Sequence, residues 1–309
     1  MIISASRRTD LPAFYMPWFL GRLAAGRLRT VNPFNSHQQR VVSFAPEYVD
    51  AIVFWTRDPQ LLAEALPRIE ALGYARTVAL VTLTGLPRIL EPDNPSLSRV
   101  LEGLDRLAAH YGDVRRISWR FDPVVEGPGG TLDDHLERFA YLAGQLEGLT
   151  KRVIVSFIDL YRKTRRRLAR VDGVVQPAAP DRGRRGCFLA RLRDLAHERG
   201  MTLELCAEPE NYAALGVPAG CCIDPRQLAE IFPLRAPCPG KDRGQRPACG
   251  CAPSVDVGMP DSCLHGCVYC YAARSHAGAV ARHARHDPAG ESLLPVKPTL
   301  ATISLGRRC

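Results

Sequence analysis

The chain has 309 residues, 46% of them hydrophobic and 7% aromatic, with a formal net charge of +9 and a pI near 9.1. A chain of this length buries about three quarters of its unfolded surface without disulfide staples, and it holds no run of the ~18 apolar residues that a membrane span needs, so no membrane partner is expected. The basic excess is nearly all arginine, with Lys151, Lys163, Lys241 and Lys297 the only lysines, a bias read as GC-rich coding rather than as a nucleic-acid footprint.

The first segment, "IISASRRTD" (2–10), is short, apolar and then sharply polar. Its arginines follow the apolar residues, the reverse of a secretory signal. A reducing cytosol is therefore the expected location, where the eleven cysteines serve as metal ligands, reactive thiols or small core residues. "RTVNPFNSHQQRVVSFAPEY" (29–48) interrupts the pattern and is expected as a hairpin or extended insertion. Five further segments repeat the first: "AIVFWTRDP" (51–59), "TVALVTLTG" (77–85), "RISWRFDP" (116–123), "RVIVSFIDLY" (152–161) and "TLELCAEPE" (202–210). Apolar on both faces and then abruptly polar, they read as buried parallel strands. Amphipathic stretches at 59–73, 95–112, 131–148 and 186–200 separate them. Thr131 suits a helix N-cap, and Gly73, Gly112, Gly148 and Gly200 stand where helices stop. The most basic run, 161–171 with 181–186, is read as a solvated helix face or loop.

Six strand–helix units predict an α/β fold with a parallel sheet. A partial or full (β/α) TIM-like barrel is favoured over a doubly wound sheet, because no Gly-x-Gly-x-x-Gly loop follows the first strand and every strand ends in polar side chains. The barrel is assigned to residues 1–210. A cysteine-rich C-terminal segment, 211–309, has little core pattern of its own and is expected to fold back over the barrel.

That segment carries "SCLHGCVYCYA" (262–272), with Cys263, Cys267 and Cys270 at C-x-x-x-C-x-x-C spacing. Three thiolates do not complete a tetrahedral zinc site; His265, Cys249 or Cys251 would have to supply the fourth ligand. A cubane held by three cysteines instead leaves one iron open. "CLHGCVYC" resembles the cluster motif of the radical S-adenosylmethionine (SAM) superfamily. The resemblance implies that Cys263, Cys267 and Cys270 bind a [4Fe-4S] cluster, that Tyr269 fills the aromatic position, and that the fourth iron chelates SAM. It implies reductive cleavage of SAM to a 5′-deoxyadenosyl radical that abstracts hydrogen from a substrate, with an electron donor such as flavodoxin or ferredoxin. In most of that superfamily the motif follows the first strand; here it follows all six. The chain as a whole resembles a bacterial family catalogued as domain of unknown function 1848, which pairs "SASRRTD" and "FWT-x-(N/D)-P" with a late cysteine cluster. That resemblance brings no substrate, and a small molecule or a nucleotide fits the reading.

A second site, an iron–sulfur cluster or zinc, is drawn from Cys206, Cys222, Cys249 and Cys251; the alternative is that they are small buried or loop residues. Polar residues at the strand ends are expected to converge at the mouth, either on ligand or as Arg–Asp pairs that lock loops. Arg7, Arg8, Arg120 and Glu208 are the candidates for cofactor contact, arginine forks being suited to carboxylates. His276, His283 and His286 are expected to face solvent, and Cys309 to be inert. Two other functional classes stay open: a zinc- or cluster-stabilised nucleic-acid-binding protein, and an iron–sulfur electron carrier without SAM.

Overall fold

In the computed structural model the described residues are 1–32, 35–127, 129–171, 181–234, 240–296 and the strand Thr302–Ser304; Cys238 and Cys309 lie outside them. The strands are β1 Ile2–Ala5, β2 Arg27–Asn32, β3 Asn35–Ser43, β4 Ala51–Thr56, β5 Thr77–Thr82, β6 Ile117–Val124, β7 Arg152–Phe157, β8 Thr202–Cys206, β9 Ala219–Gly220, β10 Ser254–Asp256 and β11 Thr302–Ser304. The helices are α1 Leu11–Phe14, α2 Met16–Ala24, α3 Gln60–Ala71, α4 Leu97–Tyr111, α5 Leu132–Gln145, α6 Arg162–Leu168, α7 Arg182–Glu198, α8 Pro225–Ile231 and α9 His276–His283.

Eight strands form one parallel sheet in the order β10-β1-β4-β5-β6-β7-β8-β9, curled into a half-barrel. β4, β5 and β7 are buried at every residue, as parallel strands covered on both faces must be. Strand alternation divides them. Ile52, Phe54, Ala79, Val81, Val153 and Val155 pack under the helices. Val53, Trp55, Val78, Leu80 and Ile154 point the other way, into a smaller core shared with Cys221, Cys222, Ile223, Cys249 and Cys251. The barrel interior is thus filled in part by the cysteine-rich stretch.

Helix ends follow the sequence signals. Thr131 and Asp134 form a reciprocal capping box on α5, and α4 stops at Gly112, whose φ of 63° suits glycine. The insertion is the antiparallel β2–β3 hairpin, with β11 added in parallel to β3. Two strands of the main sheet escape sequence reading, because two or three residues show no period: β9, and β10, which pairs with β1. The polar tails of the predicted strands lie at the C-terminal edge of the sheet, as loops after β1, β4, β5, β7 and β8 and within the last residues of β6. Among the described residues no helix is long and apolar enough to cross a membrane.

Candidate functional site

The loop leaving β1 is held by one carboxylate. Asp256, ending β10, accepts from Ser4 Oγ at 3.1 Å, Ser6 Oγ at 2.7 Å, and the backbone N–H groups of Arg7 at 2.9 Å and Gly258 at 3.1 Å. Arg8 Nη1 lies 3.1 Å from it. Residue 258 has to be glycine: a Cβ there would stand 2.1 Å from Ser6 Oγ and 2.8 Å from Thr9 Oγ1. Thr9 Oγ1 is 2.5 Å from Ser262 Oγ, and Tyr15 donates to the Ser262 carbonyl at 2.7 Å. Asp10 caps α1, accepts from the Arg57 N–H at 2.7 Å and meets His265 Nε2 at 2.7 Å. The "SASRRTD" loop therefore seats the chain on either side of Cys263.

Cys263, Cys267 and Cys270 are half-buried and line one cavity of about 280 Å³ at the strand ends. Tyr269 is clamped between them. It accepts from Arg57 Nη2 at 2.6 Å and donates to Glu91, which also takes Arg57 Nη1 at 3.0 Å, Thr84 Oγ1 at 2.8 Å and Asn94 Nδ2 at 2.6 Å. Burial opposes the Arg57 charge, but Glu91, Tyr269 and the two nearest thiols outweigh it and hold the guanidinium charged. Burial pushes the Cys267 thiol up to about 12 and raises Cys263 too. Cys270 Sγ accepts from the Ala272 N–H at 3.3 Å, and its carbonyl accepts from Arg167.

The other four cysteines line the same cavity. Cys206 and Cys222 are 3.8 Å apart through their sulfurs, Cys251 accepts from the Ile223 N–H at 3.4 Å, and its thiol interacts with Cys222 and Cys249. Those two thiols, and next the Arg7 guanidinium, lower the Cys251 pKa against the burial that would raise it. Among the described residues no three His, Cys, Asp or Glu side chains are drawn up as a ready metal site.

The arginine candidates reach the mouth, largely as members of ion pairs. Arg7 donates to Ser254 Oγ at 3.1 Å and faces Asp242 and Asp256 at 3.8 and 3.9 Å. Arg120 is paired with Asp122, donates to Thr82 Oγ1 at 3.0 Å and lies over the Trp55 ring at 4.8 Å. Arg8 has the most open side chain of the three. Glu208 accepts from the Phe157 N–H at 2.9 Å and sits 3.7 Å from Arg185, outside the cavity lining. The basic helix α6 exposes Arg162, Lys163, Arg165 and Arg166, while Arg167 turns inward to the cysteine loop. His276 faces solvent as expected, but His283 and His286 are only half-exposed: both rings meet the buried Tyr15, between α1 and α2, edge-on at 5.0 and 4.8 Å. Sequence reading missed Glu91, Asn94, Asp256 and Arg167. Glu91, Asn94 and Asp256 are single polar residues in or beside a loop, and Arg167 is one of several arginines in the basic run of α6; only the fold gives each its partner.

A curled parallel β/α half-barrel with a cysteine-lined cavity at the C-terminal strand ends defines the class of protein. Residues 2–272 match the family described as "Domain of unknown function (DUF1848)", and the chain belongs to it. No curated protein matches. Among solved structures, one described as a "putative alpha-L-fucosidase" from Bacteroides thetaiotaomicron is 12% identical over 69% of this chain and 76% of that one, with a TM-score of 0.25. A likeness that slight carries no argument about function.

Proposed function

We propose that this chain is a radical-SAM-like iron–sulfur enzyme of the cytoplasm. Cys263, Cys267 and Cys270 would hold a [4Fe-4S] cluster whose remaining iron takes SAM. The observation carrying this reading is that three thiols of one eight-residue stretch, 263–270, open together into the cavity at the strand ends of a half-barrel. The donor set fits the group: three half-buried sulfurs, one of them accepting a backbone N–H, are what such a cluster asks of a protein that leaves one iron to a small molecule. Bound there, the pair supplies one-electron cleavage of SAM and hydrogen abstraction from a substrate.

The chain's own residues do the rest. Glu91 and Arg57 fix Tyr269, and with it the spacing of the flanking cysteines. Asp10 fixes the turn at His265. Arg8, the most open arginine of the mouth, is assigned to the SAM carboxylate, whereas Arg7 and Arg120 set the charge of the cavity wall through their carboxylate partners. The cysteine-rich segment is read as a cover that keeps water and oxygen from the mouth. The substrate is a small molecule or nucleotide, and a flavodoxin- or ferredoxin-type partner supplies the electron.

The test is anaerobic reconstitution with iron and sulfide, reduction, and incubation with SAM. Formation of 5′-deoxyadenosine, abolished in Cys267→Ala, supports the reading. A colourless protein, or a brown one whose spectrum ignores SAM, overturns it.

A further inference from the structure

We infer that Cys206, Cys222, Cys249 and Cys251 form a second, structural site for a single tetrahedral metal ion of the zinc class. The proposal does not depend on the three-cysteine site, whose thiols come from a different loop.

Three separate pieces of chain deliver these thiols: the end of β8, the residues after β9, and a C-x-C loop that runs back to β10. All four residues are buried. The Cys206–Cys222 separation of 3.8 Å matches the edge of a tetrahedron with Zn–S bonds of about 2.3 Å, which is about 3.8 Å. A cubane needs its thiolates further apart, because irons and sulfides stand between them. Cys249 and Cys251 share the cavity wall and the buried cluster with that pair. Closing the tetrahedron takes inward rotation of the thiols, each giving up its proton to solvent as the ion binds.

The surroundings suit the product. Four thiolates on a divalent ion leave two negative charges. Arg7 lies in the field of Cys251, and Arg120 and Arg152 lie in that of Cys222. Arg7 Nη2, Arg120 Nε and Arg152 Nε are buried donors without partners. The Ile223 N–H already points at Cys251 Sγ, as outer-shell donors do at metal thiolates.

The local fold also needs such a tie. Residues 240–253 contain no helix or strand, yet Cys249, Cys251 and Ala252 are at most 6% exposed and sit in the barrel interior. Few backbone bonds hold them there, such as Ala252 N–H to the Ile223 carbonyl at 3.0 Å. A metal joining 249–251 to the ends of β8 and β9 anchors the stretch where hydrophobic area is scarce.

The experiment is elemental analysis of the full chain, purified without chelator from cells supplied with both iron and zinc. About one zinc per chain is expected, kept in the triple variant Cys263→Ser/Cys267→Ser/Cys270→Ser and lost in Cys206→Ser/Cys251→Ser. Cobalt exchange should give thiolate-to-cobalt charge transfer with tetrahedral d–d bands. Should the double variant fail to fold, native alkylation of the wild-type chain decides: these four thiols should stay protected until a zinc chelator is added. Free alkylation without chelator, a Cys206–Cys222 disulfide, iron in the triple variant, or zinc that leaves with Cys263, Cys267 and Cys270 would each overturn the proposal.

Discussion

Replacing Glu91 by alanine removes the one carboxylate that holds Arg57 and Tyr269 together beneath the cysteine loop. The Glu91 side chain is 6% exposed and that of Arg57 13%, so the guanidinium left behind has little access to water. Breaking a buried pair from one side costs about 3–5 kcal/mol, chiefly because the surviving charge stays desolvated. Thr84, Asn94 and Tyr269 lose an acceptor as well. With a urea dependence of about 3 kcal/mol per molar, at the upper end for small proteins, the unfolding midpoint should fall by more than about 1 M. Glu91→Gln keeps acceptor and shape and should lose roughly half as much. Urea titration by tryptophan fluorescence measures both variants. Iron retained after anaerobic reconstitution reports whether the loop still presents its thiols, and Glu91→Ala should retain less than half the wild-type amount. A Glu91→Ala protein that loses under about 1 kcal/mol and loads iron normally would refute the clamp.

His135 is fully buried, its Nε2 3.0 Å from the Val125 carbonyl, and burial depresses its pKa from 6.5 to about 4. Between those values the unfolded chain takes up a proton that the folded chain refuses, so stability declines as pH drops from 6.5 to 4, by about 3 kcal/mol in all. His135→Gln should lack that component, and parallel pH–stability curves for the two proteins would contradict it. Gly258→Ala forces a methyl against Ser6 and Thr9 and should cost about 1–3 kcal/mol; a melting temperature unchanged from wild type would show that the loop yields freely. Because the Cys267 thiol is pushed up to about 12 and Cys263 higher, metal loading there must expel protons. Iron affinity in a chelator competition should rise about tenfold per pH unit per thiol from pH 6 to 9, and a flat profile would count against ligation by these thiols.

Much of this architecture is written in local pattern. The runs at 51–56, 77–82 and 152–157 are apolar on both faces because both faces are covered, and that alone announces a parallel sheet. Thr131 and Gly112 mark helix ends because capping is satisfied within four residues. The three thiols of 263–270 face one cavity because a short loop keeps them together. What stayed hidden depends on distant encounters. Nothing around Asp256 says that it will receive Ser6 and Arg7, some 250 residues earlier. Arginines at strand ends are visible in the sequence, but whether one meets a ligand or a carboxylate is decided by the neighbouring strand, as Arg7, after β1, and Asp256, on β10, show. His283 ends α9 and His286 follows it, and the apolar stripe of that helix is too thin to reveal that the two rings meet Tyr15.

The pairing of β10 with β1 also sets an order of assembly. Residues 2–4 wait for residues 254–256 to complete their side of the sheet, a closure that local contacts cannot hasten and that slows folding. In chain order, strands β1 to β8 all precede the cysteine loop. The loop takes its shape from Asp10, Thr9, Tyr15, Arg57 and Glu91, all of them synthesised long before it, although the turn that carries Thr9 and Asp10 still waits for Asp256. A chain stalled before residue 254 would carry several cysteines and no finished pocket, so the late position of the motif makes the reactive part of the molecule conditional on the rest having folded.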